Sequence, residues 1–191
     1  MIRIISGKFK GISIDVPDSA RPTLSRRRQS LFDMLEAMSP GGNGFFKEKT
    51  VLDCFAGSGA FGLEAISRGA FRAYFVDFDA KAISLIRLNL IKMKTEDIST
   101  IIHSDILKLR RCNRREAVDL AFMDPPYGEI SILKTLEHLI HTGWISEKTI
   151  LVTEEDSRKT ENFCAYHEIT SKTIGNTVFK ILNCTSINTT K

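Results

Sequence analysis

The chain has 191 residues, enough for one domain whose core needs neither disulfide staples nor a structural metal. Its hydrophobic content of 42% and charged content of 26% are ordinary for a globular protein, and no apolar run approaches the length of a bilayer span. The net charge of +4 excludes neither nucleic acid nor small-molecule partners, but its distribution is uneven. Residues 1–30 hold seven basic side chains (Arg3, Lys8, Lys10, Arg21, Arg26, Arg27 and Arg28) against only Asp15 and Asp18, which leaves the remainder nearly neutral. Basic side chains concentrated in one segment favour a polyanionic partner, because phosphate neutralisation releases counterions.

In chain order, Ile2, Ile4, Ile12, Ile14 and Val16 alternate with polar residues around Gly7 and Gly11, which predicts a short hairpin. Pro17 and Pro22 mark an extended link. Ser25 is a candidate N-cap for a helix reaching about Met38, with Leu31, Met34, Leu35 and Met38 on one face, and residues 39–44 form a loop. A strand is expected over Thr50 to Phe55, a helix from Phe61 to Arg68, a strand over Ala73 to Val76 and a helix from Ala80 to Met93. Further strands fall at Thr100 to Ile102, Val118 to Met123 and Thr149 to Thr153, with a helix from Ile130 to Ile140. Tyr166 to Ile174 and Thr177 to Leu182 flank Gly175-Asn176, a hairpin signal. Alternating strands and helices predict an α/β fold: a seven-stranded, mostly parallel sheet with helices on both faces and an antiparallel C-terminal hairpin.

Cys54, Cys112, Cys164 and Cys184 are far apart and form no Cys-x-x-Cys pair. The start, Met1 to Gly7, lacks the apolar segment of a signal peptide, so reduced thiols and a cytoplasmic setting are expected, without a metal site. His103, His138, His141, His167 and Trp144 form no recognisable constellation and read as structural.

The chemistry concentrates at strand ends. Asp53-Cys54-Phe55-Ala56-Gly57-Ser58-Gly59 follows the first core strand, where open α/β sheets bind ligands. Gly57 and Gly59 allow backbone to approach a ligand closely. Asp53 suits a cationic ligand and would repel a pyrophosphate, which sets this turn apart from dinucleotide-binding ones even with Gly62 three residues on. Asp77 ends the next strand, where a carboxylate can accept from both ribose hydroxyls of an adenosine or simply start the following helix together with Asp79. Asp105 follows the third strand and fits either an adenine amine or a helix cap.

Asp124-Pro125-Pro126-Tyr127 ends the fourth strand. Its prolines stiffen the turn and remove two donors, leaving the Asp124 carboxylate and the Pro125 carbonyl as outward acceptors. A base amine is a poor nucleophile because its lone pair is delocalised into the ring. Two acceptors holding its hydrogens favour a pyramidal nitrogen and can take the proton released on methylation. Tyr127 offers a stacking surface for an extracted base, worth about 1–3 kcal/mol. Arg21, Arg26 and Arg28 stand at a helix start, where they oppose the helix dipole, a placement that favours a phosphate partner. Lys108, Arg110, Arg111, Arg114 and Arg115 form a second basic cluster that reads equally as a solvated face.

Asp-Pro-Pro-Tyr after Asp-x-Phe-Ala-Gly-Ser-Gly resembles the Rossmann-like S-adenosylmethionine-dependent amino-methyltransferases. With Arg3 to Gly11, Arg21-Pro22-Thr23, Gly62 to Ala65, Ser67 to Ala70 and Gly175 to Leu182, the chain from about residue 2 to 183 resembles the RsmD family of bacterial small-subunit rRNA guanine-N2 methyltransferases. The resemblance implies that Asp53, Phe55, Gly57, Ser58, Gly59, Asp77 and Asp105 surround S-adenosylmethionine, with S-adenosylhomocysteine as product. It implies that Asp124, Pro125, Pro126 and Tyr127 receive guanine, and that Lys8, Lys10, Arg21, Arg26 and Arg28 touch RNA. The chain departs from the family pattern at Leu24-Ser25, Arg27 and Gln29, and Asp77 is shorter than the usual Glu. The expected organisation is an RNA-contacting hairpin-helix extension over residues 1–44 that belongs to the same domain, a methyltransferase core over 45–185 and a polar tail over 186–191. A monomer acting on small-subunit rRNA or the 30S subunit is expected, with no membrane partner. Two rivals remain at this level: an adenine-N6 or cytosine-N4 methyltransferase of DNA, and a non-catalytic RNA-binding assembly factor.

Overall fold

The computed structural model describes residues 1–17, 23–42, 44–113, 116–126 and 130–186. The readings made at Asp18, Arg21, Pro22, Arg114, Arg115, Tyr127 and the tail beyond 186 lie outside these residues. The chain divides into two compact units, Met1–His103 and Ser104–Lys191.

The first unit opens with the expected hairpin, β1 (Ile2–Arg3) paired antiparallel to β2 (Ser13–Ile14). Helix α1 spans Thr23–Ala37. Ser25 is therefore not its N-cap but lies inside the first turn. A serine there costs only a few tenths of a kcal/mol against better helix formers, roughly, so periodicity cannot locate the start. Then follow β3 (Thr50–Asp53), α2 (Ala60–Ser67), β4 (Arg72–Asp77), α3 (Ala80–Met93), a 3-10 turn at Glu96–Ile98 and β5 (Ser99–His103). Strands β5, β4 and β3 pair in that order and all parallel. Every residue of β3 is buried, as expected of a parallel strand covered on both faces. One apolar cluster joins Ile4 and Ile14 of the hairpin region to Leu63 and Ile66 of α2, Phe75 of β4, and Ile86, Leu90 and Met93 of α3. The hairpin is thus part of this unit's core rather than an appendage.

The second unit contains a 3-10 turn at Ile106–Lys108, β6 (Leu120–Met123), α4 (Ile132–His141), β7 (Ile150–Asp156), β8 (Tyr166–Ile174) and β9 (Thr177–Ser186). Strand β7 runs parallel to β6, and the C-terminal hairpin is antiparallel, with β9 against β7 and β8 at its edge. Strand β7 continues three residues past the expected Thr153, through Glu154, Glu155 and Asp156. Glu155 is held by Lys180 Nζ at 3.2 Å, which permits its burial within the strand. His138 Nε2 donates to the Leu109 carbonyl at 3.0 Å, and Trp144 Nε1 to that of Arg110 at 2.9 Å, pinning the segment before β6. No helix among the described residues is long and apolar enough to cross a membrane.

Candidate functional site

In the first unit, the carboxyl ends of β3 and β4 stand side by side, with Asp53 opposite Phe75. Asp53 is only 2% exposed, and its Oδ2 accepts from the Gly62 backbone at 2.9 Å. Gly59, the N-cap of α2, has no side chain to satisfy the helix's first amides, and Asp53 does so from the preceding strand. The turn closes through Gly59 N to the Ala56 carbonyl at 2.6 Å and is tied to β4 by Ala56 N to the Val76 carbonyl at 3.0 Å.

Gly57 adopts φ 54°, and a Cβ there would meet no atom within 4 Å, so the backbone faces open space. Its N–H donates to Asp77 Oδ2 at 2.8 Å, while Asp77 Oδ1 accepts from Asp79 N at 2.9 Å. Asp77 thus joins the glycine turn to the start of α3, where Asp79 is the N-cap. Phe55 is half-buried and Ser58 buried. An open cradle above Gly57, edged by a carboxylate, fits an adenosine-bearing ligand. The structure therefore brings Asp53, Phe55, Gly57, Ser58, Gly59 and Asp77 into one local site. Asp105, in the second unit, caps its own 3-10 turn by accepting from Leu107 N at 2.9 Å.

Sequence reasoning missed two buried polar residues, one supporting this turn and one holding the N-terminal segment. Asn89 is fully buried on α3, donates to the Ser58 carbonyl at 3.0 Å and also bonds both backbone groups of Asp15, at 2.7 and 2.9 Å. The signal was a lone amide on the inward face between Ile86 and Leu90. Glu64, also fully buried, accepts from Ile5 N at 2.8 Å, Ser6 N at 3.0 Å and Arg68 Nε at 2.9 Å.

The basic N-terminal residues separate into two groups. Lys8, Lys10 and Arg26 are exposed. Arg28 corrects the expectation of RNA contact: it is 3% exposed, and its Nη2 donates to the Arg3 carbonyl. Burial lowers its pKa, an effect that nearby Glu64 opposes. The reason is helical spacing, which turns Arg28 inward beside Leu31, Phe32 and Leu35 while Arg26 faces out.

In the second unit, β6 delivers a half-buried Asp124, a buried Pro125 and an exposed Pro126. Pro125 lines a cavity of about 710 Å³. The opposite wall comes from Glu154, Glu155 and Asp156 of β7 and from Lys159 to Glu161, and the N-terminal end of α4 closes the side. Each of these acids has a protein partner. Glu161 caps α4, accepting from Ile132 N at 2.6 Å, Leu133 N at 3.0 Å and Ser131 Oγ at 2.9 Å. Glu155 binds Lys180 and accepts from Glu161 N at 2.6 Å. Asp156 is bonded twice by the Arg158 guanidinium, at 2.9 and 2.6 Å, which holds its carboxyl well below the usual range.

Comparison with known proteins gives this arrangement a family. A family model described as "Conserved hypothetical protein 95" matches residues 2–183. The ribosomal RNA small subunit methyltransferase D of Buchnera aphidicola (subspecies Baizongia pistaciae) is 32% identical over 158 residues, covering 82% of this chain and 76% of that protein. The protein of the same name from Escherichia coli K12 is 31% identical over 157 residues, covering 81% and 75%. The solved structure of a candidate methyltransferase from Escherichia coli, yhhF, matches with a TM-score of 0.78 at 28% identity, covering 95% of this chain and 96% of that one. The fold is accordingly the Rossmann-like one of methyltransferases, with the antiparallel C-terminal hairpin. Matched along nearly its whole length, the chain belongs to the RsmD family of methyltransferases.

Proposed function

We propose that the protein transfers a methyl group from S-adenosylmethionine to the exocyclic N2 amine of a guanine in bacterial small-subunit rRNA. The observation that carries this reading is the pairing of two devices in one chain. One is a glycine turn open above Gly57 and edged by Asp77; the other is Asp124-Pro125-Pro126, whose Pro125 lines a cavity of about 710 Å³, roomy enough to admit a base. Both relatives described above carry the name of a small-subunit rRNA methyltransferase.

When bound, the donor supplies an electrophilic methyl group on a sulfonium. The chain's residues do the rest. The backbone at Gly57 and Gly59 cradles the donor, Asp77 accepts from its ribose hydroxyls, and Phe55 and Ser58 line the turn. Asp53 acts through the backbone, holding the amides of α2 so that the turn keeps its shape. On the acceptor side, the Asp124 carboxylate and the Pro125 carbonyl each hold one hydrogen of the amine. Its lone pair then points away from the ring plane toward the methyl carbon. The new C–N bond would form as the sulfonium S–CH3 bond breaks and its electron pair returns to sulfur, giving S-adenosylhomocysteine, and the proton made acidic on the nitrogen would pass to Asp124. In-line transfer requires carbon and nitrogen to come within about 3–3.5 Å, and that placement supplies much of the rate.

Pro126 stiffens the strand end, and Tyr127 stacks on the base. Residues 1–44 serve as the RNA-contacting extension, with Lys8, Lys10 and Arg26 on phosphates, residues 45–185 as the methyltransferase core and 186–191 as a polar tail. The protein acts as a cytoplasmic monomer on rRNA or on the 30S subunit.

The test is labelled methyl transfer to small-subunit rRNA from a strain lacking the gene, followed by nucleoside identification. N2-methylguanosine is expected, and Asp124→Ala should abolish its formation while donor binding persists. Label in N6-methyladenosine or in DNA would overturn the reading, as would no transfer to any nucleic acid.

A further inference from the structure

We infer that Glu154 is the residue that selects guanine, by accepting a hydrogen bond from ring N1–H beside the amine under attack. The inference rests on the function proposed above and deepens it.

Strands β6 and β7 are parallel and in register through Met123 and Thr153. Strand β6 ends at that pair, with Asp124 and Pro125 the next two residues of the chain, while β7 runs on through Glu154. Glu154 and Pro125 both line the 710 Å³ cavity, and Glu154 is only 6% exposed. The register is held from the other side by pairing of Glu154 with Phe179 on β9. Glu155, Asp156 and Glu161 are matched to Lys180, Arg158 and the amides of α4. Their negative charge is therefore committed to building the wall. A carboxylate has about four acceptor directions, so Glu154 can serve its own protein neighbours and a base edge together.

Donor and acceptor patterns then discriminate among bases. Guanine presents its N2 amine directly beside N1–H, two donor groups in a row. Adenine presents its N6 amine beside N1, and cytosine its N4 amine beside N3, each a bare lone pair. A site with acceptors at Asp124 and Pro125 for the amine and a further one at Glu154 for N1–H satisfies guanine. It sets a carboxylate against a ring lone pair in the other two. Exposed Lys134 and Lys159 at the same cavity offer positive charge for the phosphates flanking the base.

The test uses small-subunit rRNA carrying either guanine or 2-aminopurine at the position the wild-type enzyme methylates. 2-Aminopurine keeps the reactive amine but has a lone pair at N1. Hydrogen bonds to charged groups lead to an expected preference for guanine of about 10- to 100-fold in kcat/KM for the wild type. In Glu154→Gln the amide can donate to N1 of 2-aminopurine, so the preference should shrink by about that factor while donor affinity stays unchanged. Equal use of both bases by the wild type overturns the inference without any variant. An equal loss on both bases in Glu154→Gln, or no change, overturns it too. Failure of the wild type to make N2-methylguanosine instead brings down the proposed function itself.

Discussion

The backbone N–H of Gly57 donates to Asp77 Oδ2 at 2.8 Å, so a residue 20 positions downstream sets the shape of the glycine turn. Asp77 thus has two tasks, since the carboxylate that would meet a ribose also holds the loop on which the donor rests. Asp77→Ala should lower donor affinity by about 10- to 100-fold, the range for a lost hydrogen bond to a charged group. Asp77→Glu, which restores the family's usual residue, should retain binding. Isothermal titration with S-adenosylhomocysteine checks both.

Two glycines predict opposite behaviour. A Cβ at Gly62 would lie 2.4 Å from the Phe75 ring, so Gly62→Ala should overpack the core and cost about 1–3 kcal/mol of stability. At Gly57 the same methyl meets nothing, and the positive φ costs about 1 kcal/mol. Gly57→Ala should therefore lose donor binding far more than stability. Urea unfolding and donor titration of the two variants separate the effects.

Arg28 and its exposed neighbours make a second contrast. Arg28→Ala removes a buried guanidinium bonded to the Arg3 carbonyl and should destabilise the fold by about 3 kcal/mol. The salt dependence of RNA binding should not change. Lys8→Ala, Lys10→Ala and Arg26→Ala together should leave stability intact and flatten the slope of log affinity against log salt by about 2, as lost phosphate contacts do.

Alkaline pH should expose the buried thiols. Burial pushes the Cys184 thiol up from 9.0 to about 12, and burial with Asp53 raises Cys54 well above 9.0. A raised folded pKa means that the native state binds the proton more tightly. The resulting stability is complete below pH 9 and lost as pH climbs toward 12, with each group contributing a slope of at most about 1.4 kcal/mol per pH unit. Chemical denaturation from pH 8 to 11 should show this fall, and Cys184→Ala should reduce it. At pH 8 the exposed Cys164 should react fastest with a thiol reagent in the folded protein, the half-buried Cys112 more slowly, and the buried Cys54 and Cys184 last.

The elements were legible where apolar periodicity was strong. Ala80–Met93 was read to the residue, because Ile83, Ile86, Leu90 and Met93 form a clean inward stripe. The glycine turn and Asp-Pro-Pro were legible because few residue types suit those backbones. The buried polar groups were not. Glu64, Asn89 and Glu155 sit inside because partners elsewhere in the chain compensate them, and no local pattern announces a partner 58 or 74 residues away. Arg28 failed for the same reason, since its charge suggested the surface while its helical phase directed it inward.

Asn89 ties the Ser58 carbonyl to Asp15, and Glu64 clasps the amides of Ile5 and Ser6. The first sixteen residues are therefore not an interchangeable module. Trimming them would leave the enclosed Glu64 carboxylate with only Arg68, and the Asn89 amide with only the Ser58 carbonyl, as counterparts. Any chimera must carry Glu64, Asn89 and the hairpin as one inherited block.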